Sequence, residues 1–198
     1  DSIFAPTPPL ESLRMLLSWA ATNLLGSQSA KHVRDPSSDQ RTQALLLDIS
    51  RAYFNAKADS RDPIYGELPP EAHAPPGMCG LLRRHMYGTR RAAEGWQDEY
   101  SATLVSAGFV QGKASACVFM HPQRSLAVSV HGDDFTFCGL DEDLRWIRKM
   151  MEGWCEVKAR AVLGSDVEDD KEVTTLGRLV RWTSSGIEHE AGPKHRKK

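Results

Sequence analysis

Two adjacent carboxylates, Asp133 and Asp134, interrupt the stretch VSVHGDDFTF at 128–137. Leu126, Val128 and Val130 alternate with small or polar residues before them, and Phe135 and Phe137 alternate after them. That is the period-two pattern of two short strands, with Gly132 supplying permissive backbone for a tight turn. Taken alone, a Gly-Asp pair is an ordinary hairpin turn. Two neighbouring carboxylates repel, however, and if both stay ionised a positive group must sit beside them, most simply a metal ion. A third acid is at hand. Asp48 closes the run ALLLDI at 44–49, which reads as a strand buried on both faces, and it has no Lys or His beside it in sequence. By itself Asp48 reads equally well as a residue capping that strand. Beside the hairpin tip it completes a cluster of three carboxylates, the oxygen ligands that hard divalent cations take. Two such ions, about 3.5–4 Å apart, serve in-line displacement at phosphorus: one lowers the pKa of an attacking hydroxyl and both stabilise the charge that develops. The chemistry requires Asp48 and Asp133 to approach closely enough to share a hydrated cation.

The elements that must position these acids can be traced along the chain. Leu10, Leu13, Leu17 and the segment 20–24 recur at helical spacing after Pro8-Pro9, with Gly26 as a stop. Residues 27–43 are polar and irregular and read as a loop, and 67–77 (ELPPEAHAPPG) as a proline-rich loop. From Ala92 to Ala107 one helix face carries Trp96, Tyr100, Thr103 and Leu104, and Gly108 ends it. CVFMH and LAVSV read as strands about the turn Pro122-Gln123-Arg124. The segment from Asp141 to Gly153 reads as a helix with acids in its first turn and an apolar face of Leu144, Ile147, Met151 and Trp154. TLGRLVRW, 175–182, reads as a closing strand. The interleaving is α+β, compatible with a split β-α-β sheet whose helices cover one face.

Composition excludes little. The chain has 198 residues, 40% of them hydrophobic, and a net charge of −1, so it is no basic nucleic-acid binder as a whole. Binding to nucleic acid would rest on local patches: Arg83, Arg84, Arg90 and Arg91, or the terminal KHRKK, which reads first as a solvated end. The four cysteines fall at no metal-ligand spacing and read as free thiols of a reducing compartment. No apolar run has the length of a membrane span and no signal peptide is visible. The opening DSIFAPTPPL lacks Met and reads as the start of a fragment.

Several stretches, in order, resemble the reverse transcriptase of copia-type long-terminal-repeat retrotransposons. FAPTPPLESLRMLLSWAA resembles a lead-in helix of the fingers, and LLLDISRAYFNA the motif of the first catalytic aspartate, with an aromatic five residues on. IYGELPPEAHAPPGMCGLLRRHMYGTRRAAEGW resembles the proline-rich segment and the leucine-tyrosine-glycine block. GFVQGKASACVFMH resembles the stretch before the catalytic hairpin, where HGDD stands in place of tyrosine-valine-aspartate-aspartate. CEVKARAVLG and TLGRLVRW resemble the closing elements.

The resemblance implies a polymerase palm with an incomplete fingers subdomain: 1–43 partial fingers and insertion, 44–182 palm with fingers elements, then a basic tail at 183–198. It implies RNA-directed DNA polymerase activity, with Asp48, Asp133 and Asp134 as the catalytic and metal-binding acids. Two Mg²⁺ ions, or Mn²⁺ in their place, are the implied cofactors. Primed RNA or DNA template and deoxynucleoside triphosphates are the implied partners, in the cytoplasm or nucleus and away from membranes. Tyr53 falls at the aromatic that closes off the sugar 2′ position. Arg90 and Arg91 fall among nucleotide contacts, Arg83, Arg84 and Trp96 among nucleic-acid contacts. Lys158 is a candidate to protonate the pyrophosphate leaving group, against the plainer reading of a surface lysine. The chain departs from the family at Arg91 (usually Gln), Ala93 (usually Pro) and His131-Gly132 (usually Tyr-Val), and it lacks the upstream fingers strands and the protease, integrase and RNase H segments. Two alternatives stay open: a non-catalytic copy of the same fold, and a nucleic-acid-binding module that uses the arginines and aromatic stacking.

Overall fold

The computed structural model describes residues 7–21 and 42–191. They divide into two compact units, one of Arg51–Thr103, the other of 7–21, 42–50 and 104–191.

In the larger unit the chain is organised around β1 (Thr42–Ile49), whose residues are almost all buried. Consecutive burial of Leu45, Leu46 and Leu47 at 2%, 4% and 1% exposure means that both faces of this strand are covered. It lies fifth in a six-stranded antiparallel sheet, in the order β4 (Val110–Gln111), β5 (Val118–His121), β6 (Leu126–His131), β7 (Asp134–Leu140), β1 and β8 (Val157–Leu163). On one face, Ala44, Leu46, Ala127, Cys138, Ala161 and Leu163 form a core with Leu13, Leu16, Leu17 and Ala20 of helix α1 (Leu10–Ala21). Leu45, Leu47, Val128, Val130, Phe135 and Phe137 alternate onto the other face. There Phe109 meets Phe137 edge-on at 6.4 Å, His121 meets Phe109 at 5.2 Å, and Trp146 of helix α4 (Asp141–Trp154) meets His121 at 5.7 Å. α4 buries Leu144, Ile147 and Met151, as its periodicity predicts.

The antiparallel α+β architecture agrees with the reading of the sequence. The expectation that helices gather on one face does not, because α1 and α4 lie on opposite faces. The reason is already in β1, since four consecutive apolar residues, Ala44 to Leu47, need cover on both sides of the strand.

TLGRLVRW is not one strand. Thr175 ends β9 (Glu172–Thr175), Leu176 and Gly177 turn with φ of 48° and 71°, and β10 (Arg178–Thr183) begins opposite. Two positive φ values in a two-residue loop make a hairpin turn of the primed class, with Leu176 in a conformation a branched side chain rarely adopts. β10 pairs on its other side with β11 (Gly186–Ala191), so the sheet β11-β10-β9 contains residues expected to begin the basic tail. Residues 42–43, expected as loop, belong to β1. Gly26 and the terminal KHRKK lie outside the described residues.

The smaller unit holds α2 (Ala52–Asn55), the two-stranded ribbon of β2 (Tyr65–Glu67) and β3 (Cys79–Leu81), and the start of α3 (Ala92–Ser106). α3 ends as expected at Gly108, where φ is +96° and the amides of Gly108 and Phe109 donate to Val105 and Leu104. Among the described residues no helix is long and apolar enough to cross a membrane.

Candidate acid site at the strand tips

The β6–β7 hairpin closes through a two-residue loop, Gly132-Asp133, because His131 and Asp134 are paired across it. Gly132 has φ +66° and Asp133 does not share the left-handed region, the pattern of a II′ turn, for which glycine comes first. Beside this hairpin β1 runs antiparallel in a register that sets Asp48 directly opposite Asp134. Asp133 is one residue further out, and its backbone carbonyl accepts the Ile49 N–H at 2.9 Å. The structure therefore brings all three acids to one end of neighbouring strands. The cross-strand partner of Asp48 is Asp134, where the sequence reading paired it with Asp133.

Cross-strand partners share a face. The row at this level is His131, Asp134, Asp48 and Lys158, one residue from each of β6, β7, β1 and β8. His131 and Lys158 thus flank the two acids, and Lys158 is the neighbour that sequence adjacency did not supply for Asp48. A second cation comes from Arg160, whose Nη1 donates to Asp134 Oδ1 at 3.0 Å while its Nη2 donates to the Thr174 carbonyl at 2.9 Å. The β1–β8 register shifts between Leu46 and Leu47, a bulge that opposes Ala161 to Leu46 and leaves Arg160 as the extra residue. Arg160 stands two residues along β8 from Lys158, on the face that the acids occupy. Burial pushes the Asp134 carboxyl above its ordinary value, Arg160 opposes the shift, and the charges of Asp133 and Asp48 add to it.

The acids differ in exposure: Asp133 is exposed, whereas Asp48 and Asp134 are half-buried. Their face is also the face of α1. A recess of about 10 Å³, room for roughly one water, lies between Leu10, Leu13, His131, Asp134, Thr136 and Leu176. Three carboxylates are the right donors for Mg²⁺. The arrangement is another matter. Among the described residues no three His, Cys, Asp or Glu side chains converge closely enough to enclose a metal, and Asp134 is engaged by Arg160.

The remaining candidates belong to the smaller unit. Half-buried Tyr53 packs against Tyr87 with ring centroids 4.3 Å apart, and exposed Phe54 meets Tyr87 edge-on at 5.8 Å. Arg83, Arg84 and Arg90 are exposed, and Arg84 donates to the Asn55 carbonyl. Arg91 is enclosed by acids: Glu94 at 3.1 Å, Asp62 at 3.8 Å and Asp59 at 3.9 Å. These contacts, the Glu94 hydrogen bond foremost, hold its guanidinium above the ordinary arginine value. Trp96 corrects an expectation. It is 1% exposed and packs edge-on to Tyr100 at 5.7 Å, so its ring is a core group and offers no stacking surface to a nucleic acid. The helical spacing that places Trp96 on the apolar face of α3 also explains its burial.

Reading the sequence missed Arg160 and the pair of Arg124 with Asp143. Arg160 had one signal: in VKARAVL it stands two residues from Lys158, the spacing that shares a strand face. Arg124 and Asp143 had none, since 19 residues separate them. All four cysteines carry free thiols, and burial pushes that of Cys155 up to about 11. No protein-family model matches the chain, and no curated protein matches it.

Proposed function

We propose that this chain is the palm of a copia-type reverse transcriptase, or a fragment of one, that transfers a deoxynucleotide onto a primer 3′-hydroxyl. The observation that supports it best is the strand register, which sets Asp48 opposite Asp134 with Asp133 in the turn between β6 and β7. Asp48, Asp133 and Asp134 would hold Mg²⁺, which when bound lowers the pKa of the attacking hydroxyl and stabilises charge on the phosphate. Lys158, across from Asp48, would carry the proton for the leaving pyrophosphate. Tyr53 would exclude the ribose 2′-hydroxyl by packing against the sugar, and Arg90 would contact the triphosphate. Primer extension on RNA and DNA templates, with Mg²⁺ and with Mn²⁺, tests the reading. Extension by the parent and its loss to background in Asp48→Asn and Asp133→Asn are expected. No extension by the parent with either metal overturns the enzymatic reading.

A second reading, a non-catalytic copy of the same fold, is favoured by the ion pair of Arg160 with Asp134 and by the cover of α1 over the acid face. It predicts no extension by the parent and none by any acid variant.

A further inference from the structure

The smaller unit holds a polar cavity that the strand-tip acids do not share. Its volume is about 290 Å³, near the lower end of small-molecule sites. Gly95, Asp98 and Ala102 line it from α3, at the spacing of one helix face. Lys57 and His85 line it from two segments held together by their backbones. There Lys57 bridges to Arg84, the Ala58 amide donates to the Arg83 carbonyl, and the His85 amide donates to the Ala56 carbonyl. Some of the lining charges are already paired. Arg61 grips Asp59 through Nε and Nη2, each at 3.1 Å, and Arg91 donates to Glu94 at 3.1 Å. Lys57, Asp98 and Glu99 also line the cavity, and none of them has an ion pair among the described residues.

His85 is the second observation. It is only 5% exposed, yet its Nδ1 is buried with no hydrogen-bond partner among the described residues. Buried polar atoms in native structures are paired with protein, water or ligand. The ring reaches the cavity lining because residue 95 is glycine: a Cβ there would lie 2.1 Å from the His85 Nε2. The unpaired groups define the ligand. Among the described residues no three His, Cys, Asp or Glu side chains converge on a metal, so Asp98 and Glu99 suit an organic ammonium, whose N–H groups bond to separate acceptors. Lys57 suits a carboxylate on the same molecule. We propose that this cavity binds a small zwitterion of the basic amino-acid class, with its ammonium groups on Asp98 and Glu99, its carboxylate on Lys57 and one N–H on the His85 imidazole. The polymerase reading does not enter this assignment, so failure of either leaves the other untouched.

The test is calorimetric titration of the full chain with L-lysine and with two truncated probes. Cadaverine lacks the carboxylate, and L-norleucine lacks the side-chain ammonium. L-Lysine should bind saturably, and each truncated probe about tenfold more weakly, the loss expected for one charged hydrogen bond. Asp98→Asn and Glu99→Gln should each weaken L-lysine by a similar factor. Lys57→Gln should weaken L-lysine about tenfold and leave cadaverine unchanged. Lys57 and Asp98 are exposed and Glu99 is half-buried, so these variants keep the fold. His85 adds a readout that loose attraction to surface charge would not move: its imidazole resonances should shift on saturation with L-lysine. No saturable heat up to about 20 mM, well above a millimolar Kd, overturns the site. Cadaverine binding as tightly as L-lysine would show a patch that reads positive charge alone and overturns the zwitterion. An unmoved His85 signal at saturation places the ligand elsewhere and overturns the cavity.

Discussion

Asp134 is where the electrostatics of the strand tips can be read most directly. Its carboxyl is pushed above the ordinary 3.8 mainly by burial, with Arg160 pulling the other way. Between 3.8 and that raised value the folded chain binds more protons than the unfolded chain. Stability contributed by this group therefore falls as pH rises through the window. Asp134→Asn removes the titration. The difference in melting temperature, variant minus parent, should grow with pH across that window and level off above it, whereas a flat difference would mean Asp134 keeps its ordinary pKa. Arg91 offers a second check. Its charge is balanced by Glu94, Asp62 and Asp59, so Arg91→Gln should weaken binding to a single-stranded oligonucleotide less than Arg90→Gln does. Titrations at low salt measure both. A larger loss at Arg91 would show that its acids yield to phosphate.

At the scale of elements, two contacts decide where helices sit. Arg124, in the β5–β6 turn, donates to Asp143 of α4 at 2.6 Å and lies 4.1 Å over the Trp146 ring. The Asp143 side chain is only 7% exposed, so removing its partner strands a buried charge. Fully buried pairs lose about 3–5 kcal/mol in this way. Arg124 is itself 37% exposed, so water can partly replace it. Arg124→Ala should cost about 2–3 kcal/mol in urea unfolding, the stacking on Trp146 included. A cost below roughly 1 kcal/mol would reduce the pair to a surface contact. In α3 the decisive contact is a missing side chain. Alanine at Gly95 would gain about 1 kcal/mol of helix propensity. Its Cβ, however, would lie 2.1 Å from Nε2 of His85, a ring only 5% exposed. The clash wins, since a buried ring has little room to move: Gly95→Ala should destabilise by about 2 kcal/mol, the overpacking range. Adding His85→Ala should recover part of the loss, which a backbone effect of alanine alone would not permit.

At the scale of the whole molecule, a net charge of −1 leaves nucleic-acid affinity to local fields. Carboxylates at the strand tips oppose a phosphate backbone, and a divalent ion held there reverses that sign. Primer–template binding should therefore strengthen when Mg²⁺ is added at constant ionic strength, and Asp133→Asn should remove most of the gain. A module that binds through Arg83, Arg84 and Arg90 alone behaves oppositely, because divalent cations compete with arginine for phosphate. Weakening by Mg²⁺, equal in parent and Asp133→Asn, would leave the acids without a role in binding.

What the sequence determined by itself was local. Alternation marked β5, β6 and β7, and a helical apolar period marked α1, α3 and α4. Gly132 and Gly108 marked a turn and a helix end, because each of these depends on residues close along the chain. The three acids were legible as a set, since each ends or interrupts an apolar strand. Tertiary structure decided the rest. Strand register set Asp48 against Asp134, and pairing between β1 and β8, more than a hundred residues apart, brought Lys158 beside it. The turn within TLGRLVRW was hidden because Leu176 takes a left-handed φ that its residue type disfavours. The most consequential case is Arg160. Its spacing from Lys158 is visible in VKARAVL, yet only the pairing of β7, β1 and β8 brings its guanidinium to Asp134. That pairing joins residues far apart along the chain, and neighbouring residues do not specify it.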